Sequence, residues 1–339
     1  MRNQFHTKTG PLLGAVVFAC TLVGCSGDDG AASDTAAGTS AADDGGDDGA
    51  DADGATGGGT TVVHAPCDRA SYAGGFVVQL EDGFTQVEGQ VLASPNPAPK
   101  VEIAAVDNCK LLEAELYFCD PVCAASEVCT AAETCETKPE AMSVGNVTID
   151  GLTGDVTMEP NFINFYLQTD ALPHPAFDPG TEIALSADGG DGDAFDLRGV
   201  GSEPFEVVGG DVNVSMDNPI VLTWTPPAGE AVTALHVEVD IGHHGGSPAT
   251  IECDVDDTGS FEVPAELVNQ LFEFGVAGFP EINITRRTVD SVMIGDSCVE
   301  FVVAPSSTAL TVVIDGLASC NTNEDCADGL TCQGDLTCG

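Results

Sequence analysis

Residues 235–241 read Leu-His-Val-Glu-Val-Asp-Ile, and this stretch decides the fold class. Its Leu, two Val and Ile share one face of an extended strand, while the His, Glu and Asp share the other, a strict period of two. Similar short segments recur between positions 144 and 317, with Gly, Pro and Asp turns between them. The sequence therefore predicts an all-β protein built from antiparallel β-sandwiches or barrels.

The single tryptophan, Trp224, narrows this prediction to immunoglobulin-like sandwiches. It lies in Leu-Thr-Trp-Thr-Pro-Pro (222–227), and a buried Trp in an early strand is typical of that fold. Stacking of the indole on a ligand is the alternative interpretation. The only good helix signal in the sequence is the segment 264–272, which begins with Pro264 at the favoured first position.

Twelve of the fourteen cysteines remain once Cys20 and Cys25 are assigned to an export signal and a lipid anchor, as argued below. An even number in an exported chain predicts disulfides, although reduced structural cysteines are the alternative. No Cys-x-x-Cys pair occurs, which disfavours a metal cluster. Cys253 and Cys298 lie in or beside predicted strands and are predicted to bond to each other. The cysteines whose partners the sequence leaves open are Cys67, Cys109, Cys119, Cys123, Cys129, Cys135, Cys320, Cys326, Cys332 and Cys338.

The cysteine spacing and the strand pattern together predict the domain organisation. Two cysteine-rich segments with five-residue spacers flank the strands, and each is too short to build a core without disulfides. The predicted division is a small β module with a disulfide-rich knot at 62–141, a β-sandwich region at 142–318 that could itself divide near 215, and a carboxy-terminal knot at 319–339.

The first 25 residues have the features of an export signal. Arg2 and Lys8 precede an apolar run at 12–23, which is shorter than the ~20 residues that a membrane-spanning helix needs. The run ends in Leu-Val-Gly-Cys25, which resembles the lipobox of bacterial lipoproteins. The resemblance implies a signal peptide at 1–24, cleavage before Cys25, and acylation of its sulfur and new amino terminus. An ordinary signal peptide that contains a cysteine is the alternative.

The lipobox resemblance also implies a location and a first partner. Ser26 follows Cys25, and the absence of Asp there favours the outer membrane over retention at the inner membrane. Two or three acyl chains give stable anchoring, so the expected partner is the membrane itself, through the lipid on Cys25. The expected location is the cell envelope, on the periplasmic or the cell-surface side of the outer membrane.

A tether follows the lipobox. Residues 26–61 contain only Gly, Ala, Ser, Thr and Asp, so they have no apolar side chain large enough to form a core. We therefore predict that the region from Cys25 to residue 61 is a disordered acidic spacer. As a flexible coil it would reach ~35 Å, and repulsion between its Asp residues would extend it further.

Net charge excludes one class of partner. The 339 residues include 9 basic and 55 acidic side chains, a formal charge of −46. Removal of residues 1–24 takes away Arg2 and Lys8 and no acid, so 7 basic and 55 acidic residues remain, a charge of −48. Such a surface repels phosphates, and we therefore exclude nucleic acid as a partner. Cationic groups and divalent cations remain acceptable partners.

The succession of features resembles predicted lipoproteins of myxobacteria-type soil predators. The shared features are the lipobox, the Asp/Gly tether, strand pairs, a cysteine knot, and the segments Trp-Thr-Pro-Pro (224–227) and Asp-Thr-Gly-Ser-Phe-Glu-Val-Pro-Ala (257–265). The carboxy-terminal knot is similar to short Cys-rich repeats of exported proteins, which Asn321, Asp325 and Gly329 match. These resemblances imply an architecture and a location but no activity.

Calcium is the favoured metal, and it has two candidate sites, the segment that begins at Asp254 and the Gly-rich loop that carries Asp188, Asp191, Asp193 and Asp196. Asp254, Asp256 and Asp257 precede Thr-Gly and match the first half of a calcium loop, but Ala265 stands where a bidentate Glu belongs. Ordinary turn formation is the alternative for such Asp-rich segments. A second possibility is a site formed by the histidines at 236, 243 and 244 with Asp240. No other cofactor is expected.

No motif for nucleophilic, zinc-dependent or phosphate-binding chemistry is found, so we predict that the protein is not an enzyme. The sequence favours a binding, adhesion or structural module of the cell envelope, with envelope proteins or surface polymers as partners. A secreted hydrolase acting on envelope or prey polymers is the main alternative, and a periplasmic scaffold is another. Ionisable groups in a deep pocket would favour the hydrolase, whereas a shallow charged surface would favour binding.

Overall fold

The computed structural model describes residues 63–339, apart from 99, 115–116, 205, 228–232, 243–247 and 328. The predicted signal peptide, Cys25 and the acidic tether lie outside the described residues. Over the described part the chain is mostly strand, with one α-helix, α1 (Ala265–Glu273), and a 3-10 turn at Asn323–Asp325. The predicted all-β class is therefore confirmed.

The strands follow one another in short segments. The first ten are β1 (Tyr72–Leu80), β2 (Thr85–Leu92), β3 (Val101–Val106), β4 (Cys109–Glu113), β5 (Glu127–Cys129), β6 (Cys135–Thr137), β7 (Ala141–Met142), β8 (Val147–Asp150), β9 (Val156–Met158) and β10 (Phe165–Leu167). The next ten are β11 (Glu182–Ala187), β12 (Phe195–Val200), β13 (Val212–Asn213), β14 (Ile220–Thr223), β15 (Ala234–Asp240), β16 (Ala249–Asp256), β17 (Ser260–Val263), β18 (Glu281–Ile294), β19 (Ser297–Ala304) and β20 (Thr308–Val313).

One long strand, β18, connects the two halves of the largest sheet. That sheet has the order β10-β2-β1-β19-β18-β15-β16-β4-β3, and β20 and β13 continue from β18 on the side of β19. The first half of β18 pairs with β15 and β20, whereas its second half pairs with β19. Most of these pairs are antiparallel, but β1 with β19 and β13 with β20 are parallel.

A first hydrophobic core lies between β1, β2 and β19 of the large sheet and a four-stranded sheet with the order β12-β11-β8-β9. Alternate residues of each strand enter it, as the period of two requires. Phe76 packs edge-on against Tyr166 with ring centroids 5.3 Å apart. Gly89 faces the Phe76 ring, and a Cβ there would lie 2.2 Å from a ring carbon, so only Gly fits.

A second core lies on the inner face of β15 and β16, against α1, β14 and β17. The residues that 235–241 were predicted to bury are there, and Trp224 is only 3% exposed. Its predicted role in core packing is thus confirmed. The predicted helix is also confirmed, since α1 follows Pro264 and buries Leu267, Val268 and Leu271.

The predicted boundary at 141/142 does not separate two units. Strands β1 and β3–β4, which belong to the predicted module 62–141, pair with β19 and β16 of the predicted sandwich region. The reason is that both termini of the domain contribute strands to one sheet, which a linear division of the sequence cannot represent. After β12 the chain leaves the first core for the second between Leu197 and Val207, ahead of the predicted division near 215, but β4 already contributes to the second core and β19 returns to the first.

Twelve cysteines form six disulfides, but the predicted bond between Cys253 and Cys298 is wrong. Cys253 bonds to Cys109, which lies opposite it on β4, and Cys298 bonds to Cys67. Strands β15 and β18 lie between Cys253 and Cys298. Three strand spacings amount to about 14 Å, whereas a disulfide requires Cα atoms about 4.4–6.8 Å apart.

The two predicted knots share one connectivity. In each, the first cysteine bonds to the third and the second to the fourth. The four bonds are Cys119–Cys129, Cys123–Cys135, Cys320–Cys332 and Cys326–Cys338. The first knot is built on the hairpin β5–β6. Cys67 and Cys109 belong to neither knot, because both bond to strands of the large sheet.

Candidate functional site

The outer face of the large sheet carries a concentration of charged side chains. Because residues 235, 237, 239 and 241 face the core, His236 of β15 faces outward, and so does Asp254, which lies opposite it on β16. Arg287 of β18 joins them from the other side of β15. We name the following set the charged network: His64, Arg69, Lys100, His236, Glu252, Asp254, Arg287 and Glu300.

Asp254 is the centre of the network. Arg287 Nη2 donates to its Oδ1 at 2.9 Å, His236 Nδ1 lies 3.0 Å from the same oxygen, and His64 Nε2 lies 4.0 Å from it. Burial alone would raise the pKa of Asp254, but the hydrogen bond with His236 and the positive charge of Arg287 hold that pKa well below its usual range. The carboxylate is therefore ionised throughout the neutral and mildly acidic range.

Glu252, two residues earlier on the same strand, is the second acidic position. It forms an ion pair with Arg69, and Lys100 Nζ lies 3.3 Å from its Oε1. Lys100 also donates to Thr250 Oγ1 at 3.3 Å. Burial opposes ionisation of Glu252, but the charges of Arg69 and Lys100 outweigh it, and its pKa is lowered.

The segment 63–71, which we name the N-terminal segment, lies on this network before β1 begins. Val63 and Ala65 form backbone hydrogen bonds with Val289 of β18, and the Cys67 N–H donates to Glu300 Oε1 at 2.7 Å. Burial raises the pKa of Glu300, because the hydrogen bond from Cys67 offsets only part of the desolvation. The Cys67–Cys298 disulfide fixes the segment covalently to β19.

His64 and Arg287 each keep a buried polar atom that has no hydrogen-bond partner in the part of the chain that the structure describes. These atoms are His64 Nδ1 and Arg287 Nε. Burial lowers the pKa of His64, the negative charge of Asp254 opposes this shift, and the positive charge of Arg287 adds to it. The imidazole is therefore neutral at neutral pH, and the segment brings no additional positive charge to the network under those conditions.

The network lies on the outer face of the sheet, partly covered by the N-terminal segment, rather than in a deep cavity; the side chains of Glu252 and Asp254 are 15% and 33% exposed. A cleft of about 310 Å³ lies elsewhere, against Val207–Val212 and Leu222, and a second of about 370 Å³ adjoins His64. Neither lining combines a Ser or Cys nucleophile with a His. The arrangement can present fixed, paired charges to a partner, but it does not assemble a nucleophile with its base.

The three carboxylates predicted to bind calcium are not brought together. Asp254 is held by Arg287, Asp256 ends β16 and is exposed, and Asp257 is 4% exposed. Asp257 accepts from Trp224 Nε1 at 2.7 Å and from Arg286 Nε at 2.6 Å. Their side chains enter three different environments, so the predicted calcium loop is not formed by these residues.

Of the alternative histidine site, His243 and His244 lie outside the described residues. His236 is committed to Asp254, and Asp240 accepts from the Gly242 N–H at 2.8 Å. In the described part of the chain, the groups of three His, Cys, Asp or Glu that approach closely enough to share a metal each contain at least two disulfide-bonded cysteines.

Sequence reasoning missed two features of this region. Arg69 and Lys100 lie in loops, so no periodicity signals their contact with Glu252. The buried pair of Asp257 and Arg286 was also missed, although Arg286 occupies an inward position of β18. No helix within the described residues is long and apolar enough to cross a membrane.

Comparison with known proteins adds little to this description. No protein-family model and no curated protein matches the chain. Among solved structures, it is similar to a Ca²⁺-stabilised adhesin that helps an Antarctic bacterium reach out and bind ice, with 14% identity over 75% of this chain and 53% of that one, and a TM-score of 0.16. The chain thus spans about half the length of that adhesin.

Two further similarities are of the same strength. The FN1–FN3 domains of chicken CNTN1 show 9% identity over 67% of this chain and 71% of that one, and a tetra-tandem repeat from the extending region of a large adhesion protein shows 14% over 73% and 76%. Both TM-scores are 0.16. At these values the similarities carry no argument about function. The chain is defined by its own structure as a disulfide-rich, all-β protein of sandwich architecture.

Proposed function

We propose that this protein is a lipid-anchored binding or adhesion module of the bacterial cell envelope. Cys25 attaches it to the outer membrane, and the acidic tether at 26–61 holds the folded part away from the lipid surface. The observation that carries the binding function is the charged network, which presents mutually paired, partly exposed charges on the outer face of the large sheet.

The six disulfides support the export that this proposal requires. Bonds of this kind form and persist in oxidising compartments, such as the periplasm and the cell exterior. The two knots are the clearest case, because each closes about twenty residues that have little apolar core of their own. In a reducing cytosol these segments would have little to stabilise them.

The geometry of the charged network favours binding over hydrolysis. Asp254 and Glu252 are held ionised by cations that come from different segments, so neither serves as a proton donor near neutral pH. The expected partners are envelope proteins or surface polymers. Since the mature chain carries 55 acidic and 7 basic residues, partners with cationic or neutral groups are favoured.

The anchor is tested by metabolic labelling of cells with a clickable palmitate analogue. The full-length protein should take up label, Cys25→Ser should lose it, and Cys20→Ser is the matched control that should keep it. Mass spectrometry of the mature amino terminus locates the modification. An unlabelled wild-type protein, or equal labelling of C25S, would overturn the lipid anchor.

Exposure is tested by protease shaving of intact cells, followed by blotting for residues after 61. Loss of the signal supports a surface module, whereas protection until the outer membrane is opened assigns the protein to the periplasm. For the binding function, Asp254→Asn should weaken binding to isolated envelope polymers at least tenfold, and Asp155→Asn, an exposed Asp on the β8–β9 turn, is the control. Equal binding by wild type and D254N would remove the network from the proposal.

A further inference from the structure

A second site lies beside the N-terminal segment, where that segment meets the four-stranded sheet β12-β11-β8-β9. The cleft of about 370 Å³ is lined by residues 63–65 on one side, by Arg198, Gly199 and Val200 of β12 on the other, and by Glu182 and Asp290. Residues 63–65 pair with β18 at Val289, and β12 pairs with β11. In the described part of the chain these two strand edges are not paired with each other.

The floor of the cleft is rigid because β12 is fixed to β18 by side chains. Asp290 Oδ2 accepts from the Arg198 backbone N–H at 2.9 Å. Thr288 Oγ1 accepts from the Val200 N–H at 3.0 Å and donates to the Val200 carbonyl at 3.3 Å. A Cβ on Gly199 would lie 2.5 Å from Val303 Cγ2, so glycine permits this close approach.

Arg198 is exceptional among the basic residues of the mature chain. The other six each have an acceptor. These pairs are Arg69 and Lys100 with Glu252, Lys110 with Glu102, Lys138 with the Ala125 carbonyl, Arg286 with Asp257, and Arg287 with Asp254. The Arg198 guanidinium is exposed and has no hydrogen-bond or ion-pair partner among the described residues. An unpaired arginine in so acidic a chain is available for a ligand.

Glu182 is the acidic counterpart of Arg198. In the β11–β12 register Glu182 lies opposite Val200 and Arg198 lies opposite Ala184, so the two charged side chains are diagonal neighbours on one exposed face. Diagonal neighbours are close enough for long side chains to meet. The two nevertheless form no ion pair, and the Glu182 carboxylate has no partner among the described residues.

The charges of the cleft select its ligand. A guanidinium binds a carboxylate through two parallel hydrogen bonds, and Glu182 with Asp290 complements an ammonium group. An anion alone would be repelled by the two carboxylates, and a cation alone would leave Arg198 without a counter-ion. The volume lies near the lower end of the range for small-molecule pockets, about 300–1,000 Å³. His64 adds a neutral imidazole to the wall.

We propose that this cleft binds a small amphoteric molecule of the amino-acid or short-peptide class, with its carboxylate on Arg198 and its ammonium group on Glu182 and Asp290. The inference does not depend on the lipid anchor, and the cleft shares only His64 with the charged network. It assigns a ligand site to β11, β12 and the N-terminal segment.

Calorimetric titration of the mature full chain with alanyl-alanine provides the test. We expect saturable binding at one site per chain. N-acetyl-alanyl-alanine lacks the ammonium group and alanyl-alanine amide lacks the carboxylate, and each should bind at least tenfold more weakly. Absence of saturable binding up to about 10 mM, a Kd range far weaker than ordinary specific recognition, would overturn the proposal.

Two variants assign the ends of the ligand. Arg198→Gln should weaken binding of alanyl-alanine at least tenfold and abolish its advantage over the amide, whereas Glu182→Gln should abolish its advantage over the acetylated form. Both side chains are exposed, so neither change disturbs the core, and thermal unfolding checks this. Lys138→Gln is the control for loss of one positive charge. Unchanged affinity in both R198Q and E182Q would overturn the site.

Discussion

Substitution of Asp257 by Asn is expected to be among the most damaging single changes in the second core. Asp257 accepts from Trp224 Nε1 at 2.7 Å and binds Arg286 through Nε at 2.6 Å and Nη2 at 3.3 Å. Arg286 also donates to the carbonyls of Glu203 and Thr225. The side chains of Arg286 and Asp257 are 2% and 0% exposed, so water cannot replace either partner.

The expected loss of stability follows from the positive charge of Arg286, which the substitution leaves without a counter-ion. Asparagine keeps the size of Asp257 and can still accept from the indole, so the change removes charge rather than volume. The Arg286 guanidinium would then be buried without a counter-ion, and breaking a buried pair from one side costs about 3–5 kcal/mol. With a urea m-value of about 3 kcal/mol/M, the unfolding midpoint should fall by about 1–1.7 M.

The assay is urea unfolding of the oxidised protein, followed by intrinsic fluorescence. Trp224 is the only tryptophan, it is 3% exposed, and its indole contacts Asp257, so the signal reports on this core directly. Asp256→Asn, an exposed neighbour, is the control and should shift the midpoint little. If D257N and D256N shifted it equally, the reasoning about the buried pair would be refuted.

A double variant separates charge from packing. Arg286→Met in the background of Asp257→Asn removes the uncompensated guanidinium while filling similar space, and neutral replacement of a buried pair is often tolerated. The double variant should therefore be more stable than D257N alone. Additive losses from the two single variants would show that the side chains do not act as a pair.

Three further predictions concern other parts of the fold. Replacing both Cys67 and Cys298 by Ser should lower the free energy of unfolding by about 2–4 kcal/mol in calorimetry, because the unfolded chain loses a long-range constraint; no loss of stability would contradict it. The lowered pKa of Asp254 means that its ionisation stabilises the fold above about pH 4, which is its pKa in the unfolded chain. This contribution is lost as pH falls towards the folded pKa, so the stability difference between wild type and Asp254→Asn should shrink on acidification below about pH 4. A stability difference that grows on acidification would refute this prediction. Gly89→Ala should cost about 1–3 kcal/mol in thermal unfolding through overpacking, since its Cβ would lie 2.2 Å from an aromatic carbon, whereas Gly210→Ala, which meets nothing within 4 Å, should be near neutral.

The local features of this fold could be predicted because they are set by neighbouring residues. The alternation in 235–241 fixes which face of β15 is buried, and Pro264 marks the start of α1. Trp224 could be assigned to the core because it lies in a short predicted strand that ends at two prolines. Each of these predictions needs only a window of about ten residues.

The arrangement of the strands could not be predicted, because it depends on contacts between distant segments. Cys67 meets Cys298 across 231 residues, and Cys109 meets Cys253 across 144. The position of each cysteine in a strand was visible in the sequence, but the order of strands between them was not. The six cysteines between positions 67 and 135 alone allow fifteen pairings, and their spacing cannot select one of these pairings.

The candidate site also combines features that the local sequence predicts with features that depend on distant segments. The outward position of His236 follows from strand alternation, and Asp254 and Asp256 share a face for the same reason. Asp257 has the opposite parity and, like Cys253 and Val255, points into the core, which is why the three carboxylates do not meet. The contact of Arg69 with Glu252 depends on how the N-terminal segment crosses the sheet, and nothing local encodes that path.

The N-terminal segment joins the proposed anchor to both cores. A pull from the tether would act first on the hydrogen bonds of Val63 and Ala65 with Val289, which can be separated one at a time. The next connection is the covalent bond from Cys67 to Cys298 on β19, which a pull cannot separate in this stepwise manner. Because β19 lies between β1 and β18, the force would pass into the interior of the large sheet and reach both cores. The charged network and the Arg198 cleft both adjoin this segment, so a ligand at either site would be held next to the point where force from the membrane enters the fold.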